Sequence, residues 1–163
     1  MLLPTVRLEL GAAESRVQIM EAGALRGMRL PIGTSVVAQL FRSDPPTGRE
    51  LEAAIDLVEE AVMPLVKEIP PGSVLIAGDA LTCEVAARSA GDPVAAETSI
   101  DAVEGLFDQL ARASQRGTWA GTTRMEAALA AAVVILREFM HHARFQSIRC
   151  EDGLRRQSRV DGP

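Results

Sequence analysis

Two short turns hold the residues of this chain best placed for chemistry. Gly11-Ala12-Ala13-Glu14-Ser15 follows the alternating run Val6 to Leu10, and Gly78-Asp79 follows the apolar run Ser73 to Ala77. In an open α/β sheet, ligands collect outside the carboxyl ends of the strands, so both turns are expected to face one crevice. Glycine in such a turn lets backbone N–H groups swing toward an anion, because it tolerates positive φ and carries no side chain. Each turn here keeps one glycine and adds an acid, Glu14 in the first and Asp79 in the second. A carboxylate about 4 Å from a phosphate oxygen opposes binding by on the order of 4 kcal/mol per unit-charge pair at an effective dielectric of 20. That is about a thousandfold in affinity. The penalty applies if Glu14 points inward; if it is a solvated turn residue, Gly11, Ser15 and Gly78 can still hold an anion. Two converging carboxylates could instead bind a hard cation such as Mg²⁺ through oxygen, or be unrelated surface residues.

Other candidates have plainer readings. His141 and His142 are adjacent on a helix and point about 100° apart, so they do not readily share one ion; a cationic helix end beside the dipole accounts for them. Ser15, Ser35 and Thr82 lack a G-x-S-x-G context and read as turn and cap residues rather than nucleophiles. Arg144, Arg149, Arg155, Arg156 and Arg159 make the C-terminus basic. That run is either a contact for an anionic ligand or partner, or a solvated tail.

The elements that must carry these turns follow from periodicity. Val6, Leu8 and Leu10 alternate with Arg7 and Glu9 as in a half-buried strand. Val17 and Ile19 repeat the pattern, as does Leu25 to Leu30 after the turn at Glu21, Ala22 and Gly23, and together they predict an antiparallel meander. A short helix follows with Val36, Val37, Leu40 and Phe41, stopped by Ser43-Asp44-Pro45-Pro46. A capping box at Thr47 and Glu50 opens a longer helix, with Pro64 predicting a kink or an early end. Ser73 to Ala77 reads as a central strand covered on both faces. Helices from about Leu81 to Ala90 and along Ile100 to Leu110 come next. A second capping box, Thr123 and Glu126, predicts the start of an Ala-rich helix through Met140, and Ser147 to Cys150 reads as a last strand. The expected result is a mixed five-stranded sheet flanked by helices, one unit over 1–154 with a polar tail over 155–163.

The 163 residues suffice for one domain with a real core, and 47% hydrophobic against 24% charged is a globular composition. A net charge of −5 and 3% aromatics without Tyr argue against nucleic-acid binding. Cys83 and Cys150 stand apart with no C-x-x-C pairing, no leader pattern opens the chain, and no run approaches a membrane span, so the expected setting is cytoplasmic with no membrane partner.

Three segments resemble the C-terminal lobe of the exopolyphosphatase and guanosine pentaphosphate phosphohydrolase family (Ppx/GppA). Leu30-Pro31-Ile32-Gly33-Thr34-Ser35-Val36 with Phe41-Arg42-Ser43-Asp44-Pro45-Pro46-Thr47 is similar to that family's S-L-P-L-G-A-V-R-L…F-x-x-D-P-P-T passage. Arg124 to Leu136, with the closing Asp152-Gly153-Leu154-Arg155, is similar to its Arg-initiated helix and terminal G-L-R-E-G. The resemblance implies a ribonuclease H-like (actin-like) lobe. It places the family's phosphate loop, D-x-G-G-G-S-T-E, on Glu9-Leu10-Gly11-Ala12-Ala13-Glu14-Ser15-Arg16, and its second turn, G-x-G-G-T, on Ile76-Ala77-Gly78-Asp79-Ala80. Of these, Glu9, Gly11, Ala12, Ala13, Glu14, Ser15, Gly78 and Asp79, together with Thr82, form the expected, degenerate phosphate crevice, and no catalytic residue is assigned. The family's catalytic glutamate and first phosphate loop belong to an N-terminal lobe that would precede Val6. The implied function is therefore a binding or assembly module, as a homodimer or with a separate N-terminal lobe. The alternative is part of a phosphoric anhydride hydrolase completed by that lobe.

Overall fold

The computed structural model describes residues 2–157. Strands β1 (Thr5–Glu9), β2 (Ser15–Glu21) and β3 (Ala24–Leu30) form the expected antiparallel meander. The hairpin between β2 and β3 closes in two residues, Ala22 at φ 49° and Gly23 at φ 81°. Both lie in the left-handed region that a two-residue turn needs to match strand twist. Helices α1 (Thr34–Ala38) and α2 (Gly48–Val66) follow, then β4 (Val74–Ala77), α3 (Ala80–Ala90), β5 (Glu97–Ser99), α4 (Ile100–Arg116), α5 (Ala127–His142), β6 (Ser147–Cys150) and α6 (Asp152–Gln157).

The sheet has six strands in the order β3-β2-β1-β4-β6-β5, with β1, β4 and β6 parallel and β5 antiparallel on the far edge. The sixth strand is the departure from expectation. Glu97-Thr98-Ser99 contains no apolar residue, so alternation could not reveal it. The buried Thr98 hydroxyl anchors it by donating to the Ala86 carbonyl on α3 at 3.0 Å.

The helices pack on one face of the sheet. Val6, Leu8, Val17, Ile19, Leu75, Ala77 and Ile148 point to that face and are buried. Central to the helical layer is α5, whose residues Ala130 to Leu136 are all inaccessible and which packs against α1, α2, α3 and α4. A helix apolar all round belongs inside. On the opposite face Val74 and Ile76 are only half-buried, so β4 is central but covered fully on one side alone. Arg7, Glu9, Gln18 and Arg149 share that open face, whose register the strand pairings fix.

Two helix boundaries differ from expectation. The Thr47–Glu50 capping box forms, with Glu50 N–H donating to the Thr47 hydroxyl at 3.2 Å and Thr47 N–H to the Glu50 carboxylate at 2.9 Å, but α2 runs through Pro64 and stops at Val66. The Thr123–Glu126 box does not form; α5 begins at Ala127 with Glu126, not Thr123, as its N-cap and with no side-chain hydrogen bond there. Helix α6 spans Asp152–Gln157, and residues 158–163 of the expected tail lie outside the described residues. No helix of the described residues is long and apolar enough to cross a membrane.

Candidate functional site

The loop from Leu10 to Glu14 is held from beneath. Ser15 is fully buried; its hydroxyl donates to the Ile32 carbonyl at 2.8 Å and accepts from Gly11 N–H at 3.4 Å. The first amides of α1, Thr34 and Ser35, donate to the Gly11 and Ala12 carbonyls, each at 2.9 Å. Those helix N–H groups, which elsewhere would suit an anion, are thereby committed to the loop. A Cβ at Gly11 would meet the Glu14 carbonyl at 2.2 Å, and one at Gly33 the Ala12 carbonyl at 2.2 Å. Both glycines are thus required by backbone packing, whatever the loop binds. Ala12, Ala13 and Glu14 are exposed, and the Glu14 carboxylate lies 3.8 Å from the Arg29 guanidinium on β3, in the ion pair of a solvated turn residue.

Asp79 is the N-cap of α3 and spends both oxygens inside the protein. Oδ1 accepts from Thr82 N–H at 2.9 Å; Oδ2 accepts from Leu10 N–H at 2.8 Å and from the buried Thr82 hydroxyl at 2.6 Å. A helix N-terminus together with a loop amide after β1 is the donor set that an anion seeks. Here the anion is the protein's own side chain. The two acids of the sequence reading therefore serve different partners: Asp79 ties the two turns together, and Glu14 pairs with Arg29. The N-cap half of the Asp79 role was available in the sequence, since an Asp directly before a helical run is an N-cap; the bond to Leu10 was not.

Gly78 is roofed on the open face of the sheet. A Cβ there would meet Glu9 Cγ at 2.6 Å and Arg7 Nε at 2.8 Å. Arg7 NH1 pairs with Glu9 at 2.6 Å, its Nε lies 3.0 Å from Glu151, and its NH2 donates to the Gly78 carbonyl at 3.2 Å. Glu9 is thus occupied by a cation from its own strand, and Arg7 and Glu151 join a crevice to which the sequence reading did not assign them.

Two of the segments that carried the family resemblance meet in space. Asp44 accepts from both Nε and NH2 of Arg124, at 2.9 and 2.6 Å, and from the Trp119 indole. The Arg124 hydrogen bond, then that of Trp119, hold the Asp44 carboxyl below the usual carboxylate range.

A second polar cluster lies at the other end of the parallel strands. Glu138 on α5 is 2% exposed; Arg137 binds its Oε1 and His142 Nε2 lies 3.1 Å from its Oε2. Glu59 on α2 lies 3.9 Å from the same nitrogen. Burial opposes the Arg137 charge, but Glu138 and Glu104 overcome it and hold the guanidinium above its ordinary value. The guanidinium also lies 4.8 Å from the Phe107 ring centroid. His141 diverges as expected, toward Glu104 at 3.8 Å. The i, i+4 spacing of Glu138 and His142 was the signal that could have found this cluster.

No family model and no curated protein matches the chain by sequence. Solved structures do match by fold. The Aquifex aeolicus Ppx/GppA phosphatase, in its type II variant, superposes with a TM-score of 0.71 at 18% identity, over 98% of this chain and 57% of that one. An exopolyphosphatase from Cytophaga hutchinsonii superposes with a TM-score of 0.66 at 16% identity, over 91% of this chain and 53% of the other. An exopolyphosphatase-like protein gives 0.66 at 17%, over 98% and 60%. The chain therefore has the actin-like fold seen in part of the Ppx/GppA structures, and it spans a little over half the length of the solved chains it matches.

Proposed function

We propose that this chain is a degenerate Ppx/GppA-like lobe that acts as a non-catalytic binding or assembly module. The observation that carries this reading is the Asp79 carboxylate, which takes the Leu10 amide after β1 and the Thr82 amide in the first turn of α3. An incoming phosphate would have to displace an internal anion from well-formed, charge-assisted hydrogen bonds. The loop carbonyls of Gly11 and Ala12 occupy the α1 amides as well. The assembly half of the reading takes a second copy as its partner and is supported by the open sheet face, where Met20 and Leu25 stand side by side in register and largely exposed. In solution, light scattering should report a dimer, and the chain alone should release no phosphate from polyphosphate or guanosine pentaphosphate in Mg²⁺. A strict monomer would sink the assembly half, and turnover by the chain alone would sink the non-catalytic half.

A second reading has its own observation. The matched structures extend well beyond the region this chain superposes on, which leaves space for an N-terminal lobe from another chain or a longer protein. With such a lobe added, the pair would be a phosphoric anhydride hydrolase. Phosphate release that depends on both chains would favour this reading over the first.

A further inference from the structure

We propose that Glu59, Glu138 and His142 form a binding site for a divalent transition-metal ion, Zn²⁺ in the first instance, which bridges α2 to α5. The three side chains each offer one ligand atom, and these atoms all lie within 4.8 Å of one another. Zinc bonds of about 2.0–2.2 Å place neighbouring ligands of a tetrahedral site about 3.3–3.5 Å apart. The His142 nitrogen lies 3.1 Å from Glu138 and 3.9 Å from Glu59, so small side-chain movements bring the three to bonding distance. Those movements fall to the side chain free to make them: Glu59 is half exposed, whereas Glu138 is buried and held by Arg137.

The arrangement has further features of a metal site. Arg137 binds Oε1 of Glu138 and leaves Oε2 on the side of His142, so the ligating carboxylate is oriented by a neighbour that does not itself bind the ion. Arg137 pairs with Glu104 and Glu138, and Glu59 lies against His142, so this part of the helical layer gathers three carboxylates around one guanidinium, an excess of negative charge that favours a cation. The imidazole selects a zinc-like ion over Mg²⁺ or Ca²⁺, which take oxygen ligands. Three protein ligands leave a fourth position for water. His142 also lines a cavity of about 830 Å³ formed by the C-terminal ends of α2 and α5 and by the chain leading into β4, and Glu59 is half exposed, so two of the three ligands meet solvent. The site lies at the end of the strands opposite Asp79, so it stands or falls separately from the assembly reading.

The test is titration of the metal-free full chain with Zn²⁺ and with Co²⁺ as a spectroscopic probe. Calorimetry should give one Zn²⁺ per chain, the melting temperature should rise with Zn²⁺ concentration, and Co²⁺ should develop the intense visible bands of a four-coordinate ion. His142→Ala should weaken binding by on the order of 100-fold and Glu59→Gln by at least about 10-fold, since loss of even an outer-shell partner costs 10- to 100-fold. Both substitutions remove partly exposed groups, so the variants should stay folded. Zn²⁺ binding undiminished in His142→Ala, or a Co²⁺ spectrum like that of the hydrated ion, would overturn the proposal.

Discussion

The two polar clusters at opposite ends of the parallel strands satisfy a carboxylate in opposite ways. At the carboxyl ends, Asp79 is bonded by backbone amides and a buried hydroxyl, donors whose positions the fold itself sets. At the amino ends, Glu138 is bonded by Arg137 and His142, side chains that can move or exchange partners. The first cluster looks from sequence like a ligand site and is filled from within. The second gives little sign in the sequence and gathers three ligand atoms. A carboxylate answered by backbone closes a site; one answered by side chains leaves it open to exchange.

Substitutions can break this contrast. The largest loss is expected for Glu138→Ala, which leaves Arg137 without its buried partner; breaking a buried pair costs about 3–5 kcal/mol, and urea unfolding should place this variant at the lower end because Arg137 keeps Glu104. Asp79→Ala should follow at about 2–3 kcal/mol, since it removes an N-cap and strands the Leu10 amide. Unlike the parent, that variant should regain stability as phosphate is added, the external anion replacing the lost carboxylate. Gly33→Ala should cost about 1–3 kcal/mol, the usual range for overpacking, because its Cβ would sit 2.2 Å from a backbone oxygen. If Gly33→Ala bound phosphate better rather than folding worse, the view of this loop as packed against α1 would fail.

The smallest effect expected is electrostatic. Asp44 titrates below the usual carboxylate range because of Arg124 and then Trp119. Its contribution to stability is therefore complete above that range and fades as pH falls through the folded-state value. Carboxyl NMR titration should show the Asp44 midpoint rising toward the ordinary value in Arg124→Ala, with little change in unfolding free energy because the pair is exposed.

Much of the fold was legible because periodicity and capping are local. The meander, the Thr47–Glu50 cap and the central position of β4 follow from alternation, from one hydroxyl and one carboxylate three residues apart, and from a run of apolar residues. β5 was not legible, since three polar residues become a strand only by pairing with β6. At the candidate site, the positions of Gly11, Gly78 and Asp79 in the turns after β1 and β4 were legible, but the bond between Asp79 and Leu10 was not. The Asp79 carboxylate bonds Leu10 across 69 positions of sequence, and no local pattern records such a contact. Glu59 meets His142 in the same way, by the packing of α2 on α5.

In the parent chain the Leu10 and Thr82 amides are already bonded to the Asp79 carboxylate. Amide NMR of the isotope-labelled chain during titration with tripolyphosphate observes them directly. No saturable change is expected at Leu10, Ala12, Ala13 or Thr82 in the parent chain, and a saturable change is expected at Leu10 and Thr82 in Asp79→Gly. Saturable shifts at those amides in the parent chain, at millimolar ligand or below, would contradict the reading of this crevice as filled from within.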